Sequence, residues 1–299
     1  MTSELQRQAE LAGMVDLDWG VMGATVFPTS RAFVPPRTEL KDGYLRWWRH
    51  YADRRHPYGR EASARGMLDA FVRLTAPDDV LRFARRYGPL ALCDHGTPAT
   101  HNWTAERVGC YPTDWQQGIC REPLDRWFHY VRHARAILLI AAALHQGEVG
   151  SEDAWQVLLD RYEGDDMTLA VARSARDSAA GSQLLVCDAV NSWLALANAR
   201  FSLGWKVGRK PNLSLRGTTF TVLATQMMFA IARAHRLAIC DACSLPYLRE
   251  GRAPQAGRLN FCTNCSGTKL ADTIRQQAYR KRKRLRDQQK EDTNGGQAS

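Results

Sequence analysis

Four cysteines near the C-terminal end of the chain have the spacing of metal ligands. They form two Cys-x-x-Cys pairs, Cys240 with Cys243 and Cys262 with Cys265, separated by 18 residues. This spacing is typical of a four-cysteine zinc site, in which each pair forms a tight turn that directs two sulfurs at one ion. Four thiolates complete the tetrahedral shell and leave no position for water or substrate. The pattern therefore predicts one structural Zn²⁺ ion rather than a catalytic one.

Two other interpretations of these cysteines stay open, structural disulfides and a redox-active Cys-x-x-Cys motif. Disulfides are uncommon in reducing compartments, and the sequence shows no signal peptide, so we expect a cytoplasmic protein with free thiols. A redox motif of the thioredoxin type needs a βαβ context, which the sequence around the pairs does not indicate. The spacing favours zinc over both.

The segments around the second pair indicate the type of zinc module. Between the pairs, residues 245–261 contain two prolines and two glycines, which predict a loop or hairpin. After the second pair, the chain reads as a helix from about Thr268, uninterrupted by glycine or proline. Its apolar stripe consists of Leu270, Ile274, Ala278 and Leu285. A turn, a hairpin, a second turn and then a helix is the order of a treble clef, which we predict here in preference to a zinc ribbon.

The predicted C-terminal helix is strongly basic. Residues 269–290 include nine Lys or Arg and two Asp, and residues 240–290 carry +8 of the +10 net charge of the chain. Such clustering indicates a nucleic-acid footprint, because lysine and arginine neutralise phosphates and release counterions. We therefore predict that nucleic acid is contacted by Arg275, Arg280, Lys281, Arg282, Lys283, Arg284 and Arg286. Phe261 and Tyr279 are expected to support the packing of the finger.

The basic run has two less specific explanations. Cations favour the C-terminal end of any helix, so the run could be a solvated helix end without a ligand. An anionic membrane surface would also attract it, but the helix lacks the broad aromatic or leucine face that insertion needs. The zinc module directly before the run favours nucleic acid over both.

The order of motifs in this region is distinctive. A long helix precedes the first pair, an arginine-rich loop ends in Phe261-Cys262, and the fourth cysteine opens a basic helix that contains Tyr279 and Arg280. This order resembles the C-terminal zinc finger of bacterial CGNR-type proteins, in which the finger follows an alanine-rich helical domain. Residues 265–268, Cys-Ser-Gly-Thr, stand where that family has Cys-Gly-Asn-Arg. The resemblance implies a DNA-binding transcription regulator, and the choice of DNA over RNA depends on it alone.

The rest of the chain predicts a mostly α-helical fold. We expect an extended or partly disordered arm over residues 1–42, a helical domain over 43–239, the zinc finger with its basic helix over 240–290, and a disordered tail over 291–299. Trp47 and Trp48 are expected at the core edge of a helix. Residues 204–217 are expected to form a connecting loop. Helical periodicity or capping signals occur in the segments 67–74, 75–87, 123–147, 151–162, 183–201 and 220–238. Ser151 is expected to cap the helix over 151–162, and residues 164–176 are ambiguous.

An irregular segment over residues 90–121 is the place where an enzyme site or a second metal site would lie. It contains Cys93, His95 and His101, which offer sulfur and nitrogen ligands or a Cys-His nucleophile pair. Their spacing matches no zinc template, however. A loop packed by its own side chains is the simpler interpretation.

Composition and missing motifs exclude several classes of protein. The 299 residues are 44% hydrophobic and 24% charged, which indicates a globular chain. The longest apolar run, 136–144, is far shorter than the roughly 20 residues of a membrane span. No nucleotide-binding loop or HExxH motif occurs. We expect a non-enzymatic, nucleic-acid-binding zinc protein without membrane association, whose helical domain senses a ligand or forms a homodimer. The alternatives are a protein-interaction module built on the same finger, or an enzyme with a site in residues 90–121.

Overall fold

The computed structural model describes residues 31–35, 37–48, 60–92, 119–162, 165–197, 200–204, 212–216, 218–232, 237–249 and 258–295. These residues are mostly helical, as the sequence predicted. The helices are α1 (Met67–Phe71), α2 (Pro77–Tyr87), α3 (Leu124–His145), α4 (Glu152–Leu159), α5 (Asp166–Arg176), α6 (Ala179–Leu196), α7 (Thr219–Ala232) and α8 (Lys269–Gly295). The strands are β1 (Arg31–Val34), β2 (Arg37–Lys41), β3 (Tyr44–Trp48), β4 (Arg60–Ser63), β5 (Ile119–Pro123), β6 (Arg200–Gly204), β7 (Asn212–Arg216), β8 (Leu237–Ile239) and β9 (Pro246–Leu248).

The chain divides into two compact units. The first comprises Met1–Val131 and Asp188–Phe229, and the second comprises Arg132–Cys187 and Ala230–Ser299. The divisions fall within α3, α6 and α7, so each of these helices contributes residues to both units. The four cysteines and α8 belong to the second unit. The predicted domain boundary at residue 240 stays a prediction.

A hairpin in the first unit corrects one helix expectation. Strands β2 and β3 pair antiparallel, and β3 also pairs with β5. The turn residues Asp42 and Gly43 have φ of 52° and 78°, the positive values that a two-residue type I′ turn requires. Trp47 is buried, as expected, but it lies on strand β3 and not on a helix. The Asp-Gly pair between two short extended runs is the sequence signal for this hairpin.

Two further strand pairs lie where an arm and a loop were predicted. Strand β1 pairs antiparallel with β4, so part of the predicted arm is extended chain in a sheet. Strands β6 and β7 also pair antiparallel, so the expectation of a connecting loop over 204–217 was wrong for residues 204 and 212–216. Residues 205–211 and 217 lie outside the described residues. Leucines alternate with polar residues in β7, which is the two-residue period of a strand. That run is only five residues long, and the adjacent glycines and proline obscured it.

Aromatic side chains form much of the core of the first unit. The rings of Phe71 and Phe83 lie 5.6 Å apart, and each also contacts Trp127, at 6.3 and 5.8 Å. Trp193 stacks on Phe220 at 4.6 Å. These five residues come from α1, α2, α3, α6 and α7. The packed rings therefore fix the helices of this unit against one another.

A buried carboxylate lies at the edge of this aromatic core. Glu122 of β5 is 1% exposed. It accepts the backbone N–H of Leu92 at 3.0 Å and the indole N–H of Trp127 at 2.9 Å. Ala91 has φ of 56°, a left-handed conformation that helps successive N–H groups converge on one anion. Burial raises the pKa of Glu122 to about 7, although these N–H groups stabilise its charged form.

Side-chain caps define the short helices of the second unit. Ser151 caps α4, as predicted, because its Oγ accepts a backbone N–H three residues on, at 3.3 Å. Asp165 caps α5 in the same way at 3.1 Å, in a segment for which the sequence was ambiguous. An ion pair of 2.8 Å between Arg176 and Glu152 joins the C-terminal end of α5 to the N-terminal end of α4.

Candidate metal centre and basic helix

The first cysteine pair lies in the turn between two short strands. Strands β8 and β9 pair antiparallel, and Cys240 directly follows β8. Its N–H donates to the carbonyl of Leu245 at 3.0 Å, and its carbonyl accepts the N–H of Ser244 at 2.8 Å. Ser244 has φ of 55°. This tight turn returns the chain so that Cys243 lies beside Cys240.

The second cysteine pair lies directly before α8. The carbonyl of Cys262 accepts the N–H groups of Cys265 and Ser266, at 3.0 and 2.9 Å. Thr268 then caps the helix, since its Oγ1 accepts the N–H of Ala271 at 3.3 Å. The helix begins at Lys269, in agreement with the predicted start. The last cysteine turn and the first helical turn are therefore one continuous hydrogen-bonded segment.

The two turns bring all four cysteines together. The four sulfur atoms lie within 4.8 Å of one another and belong to Cys240, Cys243, Cys262 and Cys265. No disulfide joins these four cysteines in this structure. The N–H of Asp241 donates to the carbonyl of Asn260 at 2.8 Å, which ties the first turn to the chain before the second. The predicted four-cysteine cluster is thus confirmed as a group that could hold a metal ion.

The thiols of the cluster differ in acidity because burial and hydrogen bonds affect each of them differently. For Cys240, burial is the largest single influence, but N–H donors from Cys262 and from its own turn together outweigh burial and lower the pKa of Cys240 to about 7. Burial raises the pKa of Cys243. The hydrogen bond to Cys262, with burial added, raises the pKa of Cys265 to about 12. A divalent ion among these sulfurs would favour their ionisation, since metals bind thiolates and release protons on binding.

Apolar side chains enclose the cluster. Cys240 and Cys262 are buried with Ala238 and Tyr247, and Phe261 packs against this group. The predicted role of Phe261 in the packing of the finger is therefore confirmed. Such a hydrophobic shell limits access of water to the sulfur atoms.

Helix α8 leaves the cluster and becomes exposed. Ala271 is buried, and Ile274 and Ala278 are half-buried. Every described side chain from residue 279 onward is exposed. The exposed group includes five of the predicted nucleic-acid contacts, Arg280, Lys281, Arg282, Lys283 and Arg284. The side chain of Arg286 lies outside the described part of the chain, although its backbone belongs to α8.

The helix continues beyond its predicted end. We expected a disordered tail over 291–299, whereas α8 ends at Gly295. The sequence has no proline in α8, and Gly295-Gly296 are the first glycines after Gly267. The helix therefore continues as far as these glycines, because glycine has the lowest helical propensity of any residue except proline.

Arg275 differs from the other predicted contacts because the finger already holds it. Its guanidinium lies 4.7 Å from the centre of the Phe261 ring. It donates to the carbonyl of Ser266 at 2.9 Å and to Asp272 at 2.6 Å. Tyr279, which was expected to pack within the finger, is instead 61% exposed. The engagement of Arg275 within the finger and the exposure of Tyr279 were not predicted, because periodicity alone does not show which side chain folds back. The prediction that Arg275 contacts nucleic acid stays a prediction.

The other candidate site of the sequence analysis is not covered by the structure. Cys93, His95 and His101 lie outside the described residues. Of the segment 90–121, only its two ends are described, at residues 90–92 and 119–121. Within the described part of the chain, the four cysteines are the group of at least three His, Cys, Asp or Glu side chains close enough to hold a metal ion.

Comparisons with known proteins found no similar protein, so evidence on function comes from the sequence and from the geometry described above. The chain matches no protein-family model, and neither a curated protein nor a solved structure is significantly similar to it. Across the described residues, no helix has the length and apolar character needed to cross a membrane.

Proposed function

We propose that this chain is a zinc-finger protein that binds nucleic acid through α8, in the role of a DNA-binding transcription regulator. The observation that carries the proposal is a helix with five consecutive exposed cations, residues 280–284, that begins at a four-cysteine cluster. The cluster supplies a rigid base, and the helix supplies the charge. The helical domain would sense a ligand, form a homodimer or bind a partner.

The ligand set favours zinc as the bound ion. Four thiolates in two Cys-x-x-Cys turns are the set that structural Zn²⁺ takes, and they leave no open coordination position. The order of hairpin turn, second turn and capped helix agrees with a treble clef, which we propose as the type of finger. When bound, the ion would cross-link the two cysteine turns, and it would not take part in a reaction with a substrate.

The cations of α8 suit a phosphate-lined groove. Successive residues of an α-helix are about 100° apart, so the five consecutive cations at 280–284 surround the helix instead of forming one stripe. A helix in the major groove of duplex DNA has phosphates on both sides. Charge on every face therefore fits insertion into a groove better than attachment to a flat anionic surface. Preference for DNA over RNA rests on the resemblance to CGNR-type fingers.

The ion is tested by metal analysis of two cysteine variants. Cys243→Ser removes one of the four clustered sulfurs, whereas Cys187→Ser removes an exposed cysteine of α6 outside the cluster. We expect one zinc per chain by mass spectrometry of the wild type and of Cys187→Ser, and a large loss of affinity in Cys243→Ser. Zinc retained at wild-type affinity by Cys243→Ser would contradict the site, and iron in place of zinc would contradict the choice of ion.

The nucleic-acid class is tested with four labelled probes of equal length, which are duplex and single-stranded DNA and RNA. Fluorescence anisotropy with the zinc-loaded full-length chain should show tightest binding to duplex DNA. Tighter binding to an RNA probe would leave nucleic-acid binding intact but overturn the regulator role. Absence of binding to all four probes at low salt would favour the protein-interaction module.

A further inference from the structure

Arg275 of α8 touches both ends of the second cysteine turn. Its guanidinium lies over the ring of Phe261, the residue before Cys262, and it donates to the carbonyl of Ser266, the residue after Cys265. These contacts reach back 14 and 9 residues along the chain. The residues that flank the two metal-ligating positions of this turn are therefore joined to the second turn of the helix by one side chain.

The contacts of Arg275 depend on the shape of a guanidinium. A planar group can stack on an aromatic ring while its edge donates to two acceptors, here the Ser266 carbonyl and Asp272. A lysine ammonium carries the same charge but has no plane to stack and no fork of donors. The arginine side chain is 45% exposed, so part of it stays accessible to solvent while its donors are engaged within the finger.

We propose that Arg275 is a positioning residue that couples metal occupancy of the cysteine cluster to the direction of α8, and not a phosphate contact. An ion bound to Cys262 and Cys265 would fix the turn between Phe261 and Ser266. Arg275 would transmit that fixed geometry to the helix, and the helical segment that carries the exposed cations at 280–284 would be held in one orientation relative to the finger. Without the ion, the turn and the arginine contacts would loosen together. The nucleic-acid part of this inference rests on the proposed function, whereas the coupling itself does not.

The test compares Arg275→Lys with Arg173→Lys in the full-length chain. Both variants keep the net charge, but Arg173 is an exposed arginine of α5, outside the finger and outside the predicted nucleic-acid contacts. Each protein is loaded with Co²⁺, whose absorption reports four-thiolate coordination. Amide hydrogen exchange of residues 269–279 is then measured with and without the ion, and affinity for the best nucleic-acid probe is measured with it.

We expect Arg275→Lys to keep the wild-type cobalt spectrum but to exchange these amides about tenfold faster, the scale of losing a stacking contact and a hydrogen bond. Its exchange should approach that of metal-free wild type, and its affinity should also fall about tenfold. Arg173→Lys should behave like wild type in exchange and affinity. Phe261→Leu, which removes the ring but no charge, should reproduce the faster exchange.

Wild-type amide exchange in cobalt-loaded Arg275→Lys would overturn the proposal. If that variant also kept the wild-type affinity, the result would be that of a simple charge contact, in which lysine can replace arginine. If Arg275→Lys does not take up cobalt, Phe261→Leu decides, since normal exchange in that loaded variant would also overturn the coupling. The exchange measurement needs no nucleic acid. A wild type that binds no probe would therefore contradict the proposed function and leave the coupling to be judged on exchange.

Discussion

At the scale of single residues, Glu122 shows how the fold changes the chemistry of a side chain. Its carboxylate is buried between the backbone of residues 90–92 and the indole of Trp127. Burial penalises the charged form, and N–H donors stabilise it. Burial dominates, so the pKa of Glu122 rises from an ordinary value of 4.5 to about 7. The folded chain therefore holds this proton more tightly than the unfolded chain does.

This difference predicts how stability changes with pH. The contribution of Glu122 is fully present below pH 4.5 and is lost as pH rises to about 7, because only the folded state keeps the proton in this window. The loss is roughly 3 kcal/mol, at about 1.4 kcal/mol for each pH unit. Glu122→Gln, which cannot ionise, should flatten this part of the stability curve in urea unfolding between pH 4.5 and 8.

Glu148→Gln is the matched control for the pH experiment. Glu148 is exposed after the end of α3, so its replacement should leave the slope of the wild-type curve unchanged. An equal slope in wild type and Glu122→Gln would show that burial does not raise the pKa of Glu122.

At the scale of secondary-structure elements, caps and turns decide where the helices begin. Ser151 supplies the first hydrogen bond of α4 at 3.3 Å. Ser151→Ala should therefore lower the free energy of unfolding by about 1 kcal/mol, measured by chemical denaturation. Ser174→Ala replaces an exposed serine within α5 and should change stability by less than about 0.5 kcal/mol. Equal effects of the two substitutions would contradict the capping role.

The same local chemistry explains which elements the sequence predicted. The helices α2, α3 and α4 have a proline or a cap at one end and apolar residues at helical spacing, so their positions were predictable. The strands have three to five residues each, and such runs offer too few repeats to distinguish a period of two from one of 3.6. Some pairing partners also lie far along the chain, as β3 with β5. The Asp42-Gly43 turn was the available local signal, and it predicts a hairpin.

The candidate site was predictable to a different depth at each of its parts. Ligand identity follows from cysteine spacing, so the four cysteines were found from sequence and cluster as expected. The engagement of Arg275 within the finger was not found, because it depends on where a side chain folds after the turn and helix have formed. Outside this site, the backbone N–H groups that surround Glu122 could not be predicted from the sequence, since backbone donors are present at almost every residue.

At the scale of the whole molecule, charge is unevenly distributed. The chain has a net charge of +10 and a pI of about 9.4, and most of this excess belongs to the cysteine cluster and α8. A polyanion would therefore be attracted chiefly to one region of the chain. Binding through that region should weaken steeply with salt, because each neutralised phosphate releases bound counterions.

Binding of nucleic acid by α8 is tested most directly by the affinity for duplex DNA across a salt series. It compares wild type with a variant in which Arg280, Lys281, Arg282, Lys283 and Arg284 are all alanine. A double variant of two exposed arginines elsewhere, Arg82→Ala with Arg173→Ala, is the control. If α8 binds phosphates, log K of the wild type falls linearly with log salt, and the slope becomes shallower by about 3 to 5 in the five-alanine variant. Affinity should fall with it, whereas the double variant should keep the wild-type affinity and slope. Equal affinity and slope in wild type and the five-alanine variant would contradict the central claim that α8 binds nucleic acid.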